Sequence, residues 1–189
     1  MRKVIYSIMV TLDGFIAGPN GELDWHLIDE ELHTYVNYQE SAIGTHLYGR
    51  RMYETMSYWQ TAETNPSSPA YEIEYARIWQ KMPKIVFSKT LERVEGNARL
   101  IRDNITDVIV SLKEQPGKDM FVGGAGIAST LMPLGLIDEY WFYVHPVVLG
   151  SGKPVFPALD DRINLQLVET RTFLSGVVFL RYQQADKPQ

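Results

Sequence analysis

Three short segments carry residues suited to holding a phosphate. The first is Phe121-Val122-Gly123-Gly124-Ala125-Gly126-Ile127, an apolar run that meets glycines and then returns to helix-forming residues. It reads as a strand, a glycine turn and a helix. A backbone without side chains can approach a pyrophosphate closely, and the N–H groups and dipole of the following helix favour negative charge. Gly124-Ala125-Gly126-Ile127-Ala128-Ser129 also fits the spacing G-x-G-x-x-small. The full dinucleotide fingerprint, however, belongs to a chain's first βαβ unit and has an acid about 20 residues further on. This turn comes late in the chain, so a standard Rossmann domain is not expected. The alternative is a tight strand-to-helix connection that needs a positive φ.

The second segment, Gly49-Arg50-Arg51-Met52-Tyr53-Glu54, follows a short apolar run and opens a helical one. Its two guanidinium groups suit bidentate hydrogen bonds to phosphate, although they also suit a solvated turn in which Glu54 pairs locally. The third, Phe87-Ser88-Lys89-Thr90, ends a strand with two hydroxyls and an ammonium. Ligands of open α/β sheets gather at the carboxyl ends of strands, so one extended nucleotide could touch all three segments.

A fourth region runs from Thr11-Leu12-Asp13-Gly14-Phe15-Ile16-Ala17-Gly18 through Gly21-Glu22-Leu23-Asp24-Trp25-His26. It suits a lid or one wall of a site. Asp13, Asp24, Asp29 and Glu30 are its acids, and any of them could donate a proton if burial raised its pKa. Each could equally be a surface or helix-capping carboxylate, Asp29 above all, because it stands where a helix starts.

Composition removes several other chemistries. With no cysteine among 189 residues there are no disulfides, no thiolate nucleophile and no cysteine-ligated metal. The four histidines form no recognisable ligand pattern, so metal chemistry is not expected, and there is no G-x-S-x-G elbow. A net charge of −5 argues against a general nucleic-acid binder. No apolar run approaches the roughly 20 residues that cross a bilayer. Met1–Val10 is basic and then apolar, but Asp13-Gly14 interrupts it, so a core strand is expected there rather than a signal peptide. These features together lead to the expectation of a soluble cytoplasmic protein without membrane or nucleic-acid partners.

The elements that must position these segments follow from periodicity. Branched residues predict strands over 4–12, 46–48, 84–88, 98–101, 120–122 and 137–148. Helical spacing predicts helices over 29–40, 50–56, 71–81, 105–113 and 127–134. Residues 61–70 read as an exposed loop. Residues 165–173 and 177–183 alternate and are joined at Leu174-Ser175-Gly176, which predicts a terminal antiparallel hairpin. The expectation is a single α/β domain over 1–185 with a mostly parallel central sheet and an antiparallel C-terminal hairpin, and a frayed tail at 186–189.

Taken in order, the motifs resemble the dihydrofolate reductase-like superfamily. Within it they resemble the family of the reductase domain of the bifunctional riboflavin-biosynthesis deaminase/reductase. The matching pieces are Thr11–Ala17, Gly49–Glu54, Ile85–Leu91, Gly123-Gly124-Ala125, Gly135–Tyr140, Pro146–Gly152 and Pro154-Val155-Phe156, spread over nearly the whole chain. The resemblance implies a three-layer α/β/α fold that binds NADPH. It implies that Gly49, Arg50, Arg51, Ser88 and Lys89 grip the adenosine phosphates. Gly123, Gly124, Ala125, Gly126 and Ile127 would hold the pyrophosphate across a cis Gly123–Gly124 bond, and Ile16 and Ala17 would flank the nicotinamide. Trp25 followed by Asp29 or Glu30 is similar in layout to the Trp and substrate-binding acid of dihydrofolate reductases. Met52 stands where relatives usually carry Thr, which removes one hydroxyl contact to phosphate. The zinc-binding deaminase half has no counterpart in this chain. The implied activity is reduction of a small heterocycle, nearest to a ribosylaminopyrimidine and next to a pterin, in a homodimer. A nucleotide-binding module that has lost catalysis is the contrasting expectation.

Overall fold

The structure is a computed structural model that describes residues 1–185, so the tail expected at 186–189 lies outside the described residues. Ten strands and five α-helices follow one another along the described residues. The first half contains β1 (Val4–Thr11), β2 (Phe15–Ala17), α1 (Glu30–Ser41), β3 (Thr45–Gly49), α2 (Arg50–Met56), α3 (Ala70–Lys81), β4 (Lys84–Phe87) and β5 (Ala98–Ile101). The second contains α4 (Ile105–Glu114), β6 (Met120–Gly123), α5 (Ala125–Leu131), β7 (Glu139–His145), β8 (Lys153–Pro154), β9 (Leu165–Thr172) and β10 (Val178–Gln184).

Eight strands form one sheet in the order β5-β4-β3-β6-β1-β7-β10-β9. β1, β3, β4, β5, β6 and β7 run parallel, and the β9–β10 hairpin closes the sheet antiparallel to β7, as the alternation at 165–183 predicts. Side chains of successive strand residues point to opposite faces, and the core divides accordingly. Val4, Tyr6 and Val10 of β1, Met120 and Val122 of β6, and Tyr140 and Phe142 of β7 pack with Ile109 of α4 and Ile127, Ala128 and Leu131 of α5. Their alternates Ile5, Phe121, Trp141 and Tyr143 pack on the other face with Leu32 of α1, and Ile78 of α3 joins them there. The result is three layers, α/β/α.

The connections fix where a crevice must open. From β3 the chain moves outward to β4 and β5, and from β6 it moves the opposite way to β7. Adjacent strands whose connections diverge leave a gap at their carboxyl ends. β3 and β6 are such neighbours, with Tyr48 opposite Gly123.

Several boundaries differ from expectation for local reasons. The strand expected over 137–148 is only Glu139–His145. Pro146 offers no N–H to continue the ladder, and the Asp138 carboxylate instead accepts the Val4 N–H (2.7 Å) and the Lys113 ammonium (2.7 Å). The helix expected from Ile127 starts at Ala125, because Gly124 is already its N-cap. Within the loop expected at 61–70, Ala62–Thr64 winds into one 3₁₀ turn.

Candidate functional site

The turns after β4, β3, β6 and β1 stand side by side at one edge of the sheet, because those strands are consecutive and parallel. The sequence-predicted phosphate segments occupy three of these turns, and contacts tie them together. The Arg50 guanidinium, at the start of α2, donates to Thr90 Oγ1 (3.1 Å) after β4 and to Glu54 Oε1 (2.7 Å). Arg51 and Lys89 are exposed beside it, Lys89 lying 3.6 Å from Asp103. Ser88 Oγ accepts the Leu91 N–H (3.0 Å), so its hydroxyl shapes this turn.

Gly49 and Gly124 cap α2 and α5, and neither cap supplies a side-chain acceptor. α1 differs, because Asp29 Oδ1 accepts the Leu32 N–H (2.8 Å) there. The first N–H groups of a helix have no partner inside it, so α2 and α5 present free donors at the crevice. Gly124 adopts φ 89° and ψ 139°, a conformation that side chains strongly disfavour. A Cβ on Gly123 would lie 2.5 Å from the Tyr48 ring, and one on Gly124 would lie 3.3 Å from Met52 Cβ. Met52 therefore packs against the glycine turn, at the position where the resemblance implies a hydroxyl. A Cβ on Gly126 would meet nothing, so that position faces open space. The Gly123–Gly124 peptide is trans, as are the other peptides of the described residues, and this corrects the cis bond implied by the resemblance. The positive φ of Gly124 makes the turn instead.

The fourth region follows β1, on the other side of β6 from β3. β2 pairs antiparallel with β8 in a two-stranded sheet that short, loop-like sequence did not reveal. The two glycine loops approach so closely that a Cβ on Gly152, whose φ is 154°, would collide with the Ala17 carbonyl oxygen. Asp13 binds the loops together. Its carboxylate accepts Thr11 Oγ1 (2.6 Å), the Leu149 N–H (3.2 Å) and the Gly150 N–H (2.7 Å). The Thr11 hydroxyl hydrogen bond, with those two amides, holds its pKa below the usual carboxylate range, so it is an anchor rather than an acid. Ile16 and Ala17 lie half-buried on β2.

Besides Asp13, three acids are expected as possible proton donors. Asp24 and Glu30 are exposed, while Asp29 is half-buried and engaged as the α1 cap. Among the described residues no group of three or more His, Cys, Asp or Glu could hold a metal. No helix of the described residues is long and apolar enough to cross a membrane.

Sequence reasoning missed a histidine pair. His26 stacks on His145 with ring centroids 5.5 Å apart, and Trp25 lies edge-on to both. His145 ends β7 opposite Thr11 of β1, at the same sheet edge as the turns above. Burial, helped by the adjacent His26, pushes the His145 pKa down to about 4, and burial lowers His26 as well. Unfolding returns His145 to an ordinary value of 6.5, so the unfolded chain binds the extra proton between these limits. Stability is then complete above pH 6.5 and declines as the pH falls towards 4, with about 2 kcal/mol lost by pH 5. Urea denaturation at pH 7.5 and pH 5 should measure that loss, and His145→Asn should remove most of it.

Residues 2–179 match the family described as the RibD C-terminal domain. The chain belongs to that family. A relative, the uncharacterized protein YyaP of Bacillus subtilis (strain 168), is 41% identical over 182 residues, covering 96% of this chain and 94% of the relative. Two solved structures share its dihydrofolate reductase-like fold. One is dihydrofolate reductase from Enterococcus faecalis complexed with NADP(H), with a TM-score of 0.65 and 17% identity over 97% of each chain. The other is the diaminohydroxyphosphoribosylaminopyrimidine deaminase/5-amino-6-(5-phosphoribosylamino)uracil reductase of Thermotoga maritima. Its TM-score is 0.67 at 16% identity, over 97% of this chain and 57% of that one.

Proposed function

We propose that this RibD C-terminal domain protein is an NADPH-dependent reductase of a small heterocyclic metabolite, nearest in type to an aminopyrimidine reductase. The observation that carries this reading is the alignment of four turns along the β4-β3-β6-β1 carboxyl edge, two of them ending in glycine-capped helices without side-chain caps. The chain's residues fit the cofactor. Gly123 and Gly124 keep the crevice floor free of side chains, and Gly126 faces space into which a diphosphate can settle. The N–H groups of Ala125, Gly126 and Ile127 would donate to it. Arg50 and Arg51, with Ser88 and Lys89 on the neighbouring turn, supply charge and hydroxyl for the adenosine phosphates. Ile16 and Ala17 form an apolar wall, held in place by Asp13, that excludes water from the nicotinamide end.

NADPH, when bound, supplies the hydride. The protein's part is to bind, orient and shield, and Asp24, Asp29, Glu30 or bound water would deliver the accompanying proton. The reading is tested by titrating the full chain with NADPH and then following its oxidation with aminopyrimidine and pterin acceptors. Saturable binding and turnover support it, whereas saturable binding without turnover would favour a nucleotide-binding module.

Arg50 gives a sharper prediction. Its guanidinium is exposed and already oriented by Glu54 and Thr90, as a 2′-phosphate clamp should be. Arg50→Ala should raise the Kd for NADPH about tenfold and leave the Kd for NADH nearly unchanged, measured by isothermal titration. Equal weakening of both would place Arg50 elsewhere than at the 2′-phosphate. A second copy of the chain is the proposed partner. The outer strand β9 offers it an unpaired edge on which Leu167 and Val168 are exposed. Sedimentation of the wild type against Val168→Lys should report dimer and monomer respectively.

A further inference from the structure

The segment between β2 and α1 has little regular structure, yet it is pinned at one point. The Leu27 N–H donates to His145 Nδ1 (3.1 Å). An N–H donor at Nδ1 requires that nitrogen to be unprotonated, so neutral His145 carries its proton on Nε2. That Nε2 is buried and has no partner, and the same is true of His26 Nε2. Two stacked imidazoles, each with an orphaned buried Nε2 and with Trp25 edge-on to both, leave a second proton on His145 without an acceptor.

We propose that His145 is a positioning residue whose neutral form latches the Asp24–Ile28 segment over the carboxyl ends of β1 and β7, and whose protonation releases it. A proton on Nδ1 turns the acceptor into a donor facing the Leu27 N–H, and the hydrogen bond is lost. It also places a cation against His26 in a site with no compensating anion. The surroundings offer little alternative. Cross-strand Thr11 is uncharged and gives its hydroxyl to Asp13, and the Asp13 carboxylate is taken by the amides of Leu149 and Gly150. On the β10 side the neighbours are Val177 and Val178, and beyond His145 lies Pro146. Burial and His26 both keep His145 neutral at ordinary pH, so the latch is closed there. The segment carries Asp24 and leads into Asp29. If the reductase reading holds, on which this consequence rests, the latch sets access to the substrate end of the crevice.

The test is residue-resolved amide hydrogen exchange on the full chain without cofactor, with His145 titrated in the same samples by imidazole NMR. Neutral His145 should show the Nε2–H tautomer. Leu27 exchange, corrected for intrinsic rate, should accelerate at least tenfold as His145 titrates, while Leu47 in the central strand β3 stays protected. His145→Asn keeps an acceptor near the Nδ1 position but cannot titrate, so Leu27 should stay protected throughout. His145→Leu should release Leu27 at neutral pH, and His26→Phe should move the release to higher pH. The latch is overturned if Leu27 protection ignores the His145 titration, if His145→Asn retains the wild-type pH dependence, or if Leu47 opens together with Leu27. Should His145→Asn not fold, the wild-type and His26→Phe profiles decide alone. Because exchange is read without NADPH, failure of the latch leaves the reductase reading intact, and failure to bind NADPH leaves the latch intact.

Discussion

Replacing Gly124 with valine is expected to weaken NADPH binding about 100-fold, equivalent to roughly 2.7 kcal/mol. Gly124 sits at φ 89°, where a β-branched side chain is strained, and its new Cβ would press on Met52 Cβ at 3.3 Å. The turn must then move, and the N–H groups of Ala125 and Gly126 move with it. Strain of this kind also lowers stability, so the informative partner is Gly126→Ala. A Cβ there touches no protein atom, and alanine in the first turn of α5 should stabilise the fold by up to about 1 kcal/mol. If the space beside Gly126 belongs to the diphosphate, this variant melts higher and binds NADPH less tightly. A higher melting temperature with unchanged affinity would move the diphosphate away from α5. Calorimetric titration with paired melting curves measures both quantities.

The second large effect lies at the opposite end of the sheet and should leave the site alone. Glu139, at the start of β7, is buried and accepts hydrogen bonds from Lys3 (2.6 Å), Trp141 (2.8 Å) and Arg181 (2.8 Å). Burial alone would raise its pKa, but hydrogen bonds from Arg181, Lys3 and Trp141, with the Arg181 charge, outweigh burial and hold it at about 2. This depressed value means that the stabilisation is fully present above the ordinary value of 4.5 and is lost as the pH falls towards 2. Glu139→Ala should therefore cost about 3 kcal/mol at pH 7, because it leaves the indole N–H and part of the guanidinium without an acceptor. The gap from wild type should close in acid, where the wild-type carboxyl is also neutral. Denaturation across pH checks this, and the NADPH affinity of the folded variant should match wild type. A gap independent of pH would assign the loss to packing rather than to the charge.

Much of this organisation is visible in the sequence, for identifiable reasons. Alternation at 165–183 has a period of two, so the hairpin is legible. Asp29 before a helical run is a capping signal, and the structure uses it as one. Glycine turns after apolar runs mark strand ends. Sequence order alone does not say that three of those ends become neighbours, because β6 returns to lie between β1 and β3. What was not legible depends on contacts between distant segments. The β2–β8 ribbon is built from three residues and two, too few to show a period. His26 and His145 meet only because β7 lies beside β1, and neither carries a local signal. Asp13 illustrates the same limit. As a residue type it could be an acid or an anchor, and its bonds to the Thr11 hydroxyl and to the distant amides of Leu149 and Gly150 decide between them.

The central claim is that the edge formed by β4, β3, β6 and β1 holds NADPH, and an amide NMR titration of the full chain with NADPH tests it most directly. The predicted result is saturable binding. The largest shifts should fall at Gly49–Arg51, Ser88–Lys89 and Gly123–Ile127, with smaller ones at Ile16 and Ala17. No saturable binding, or shifts gathered away from these four turns, would contradict it.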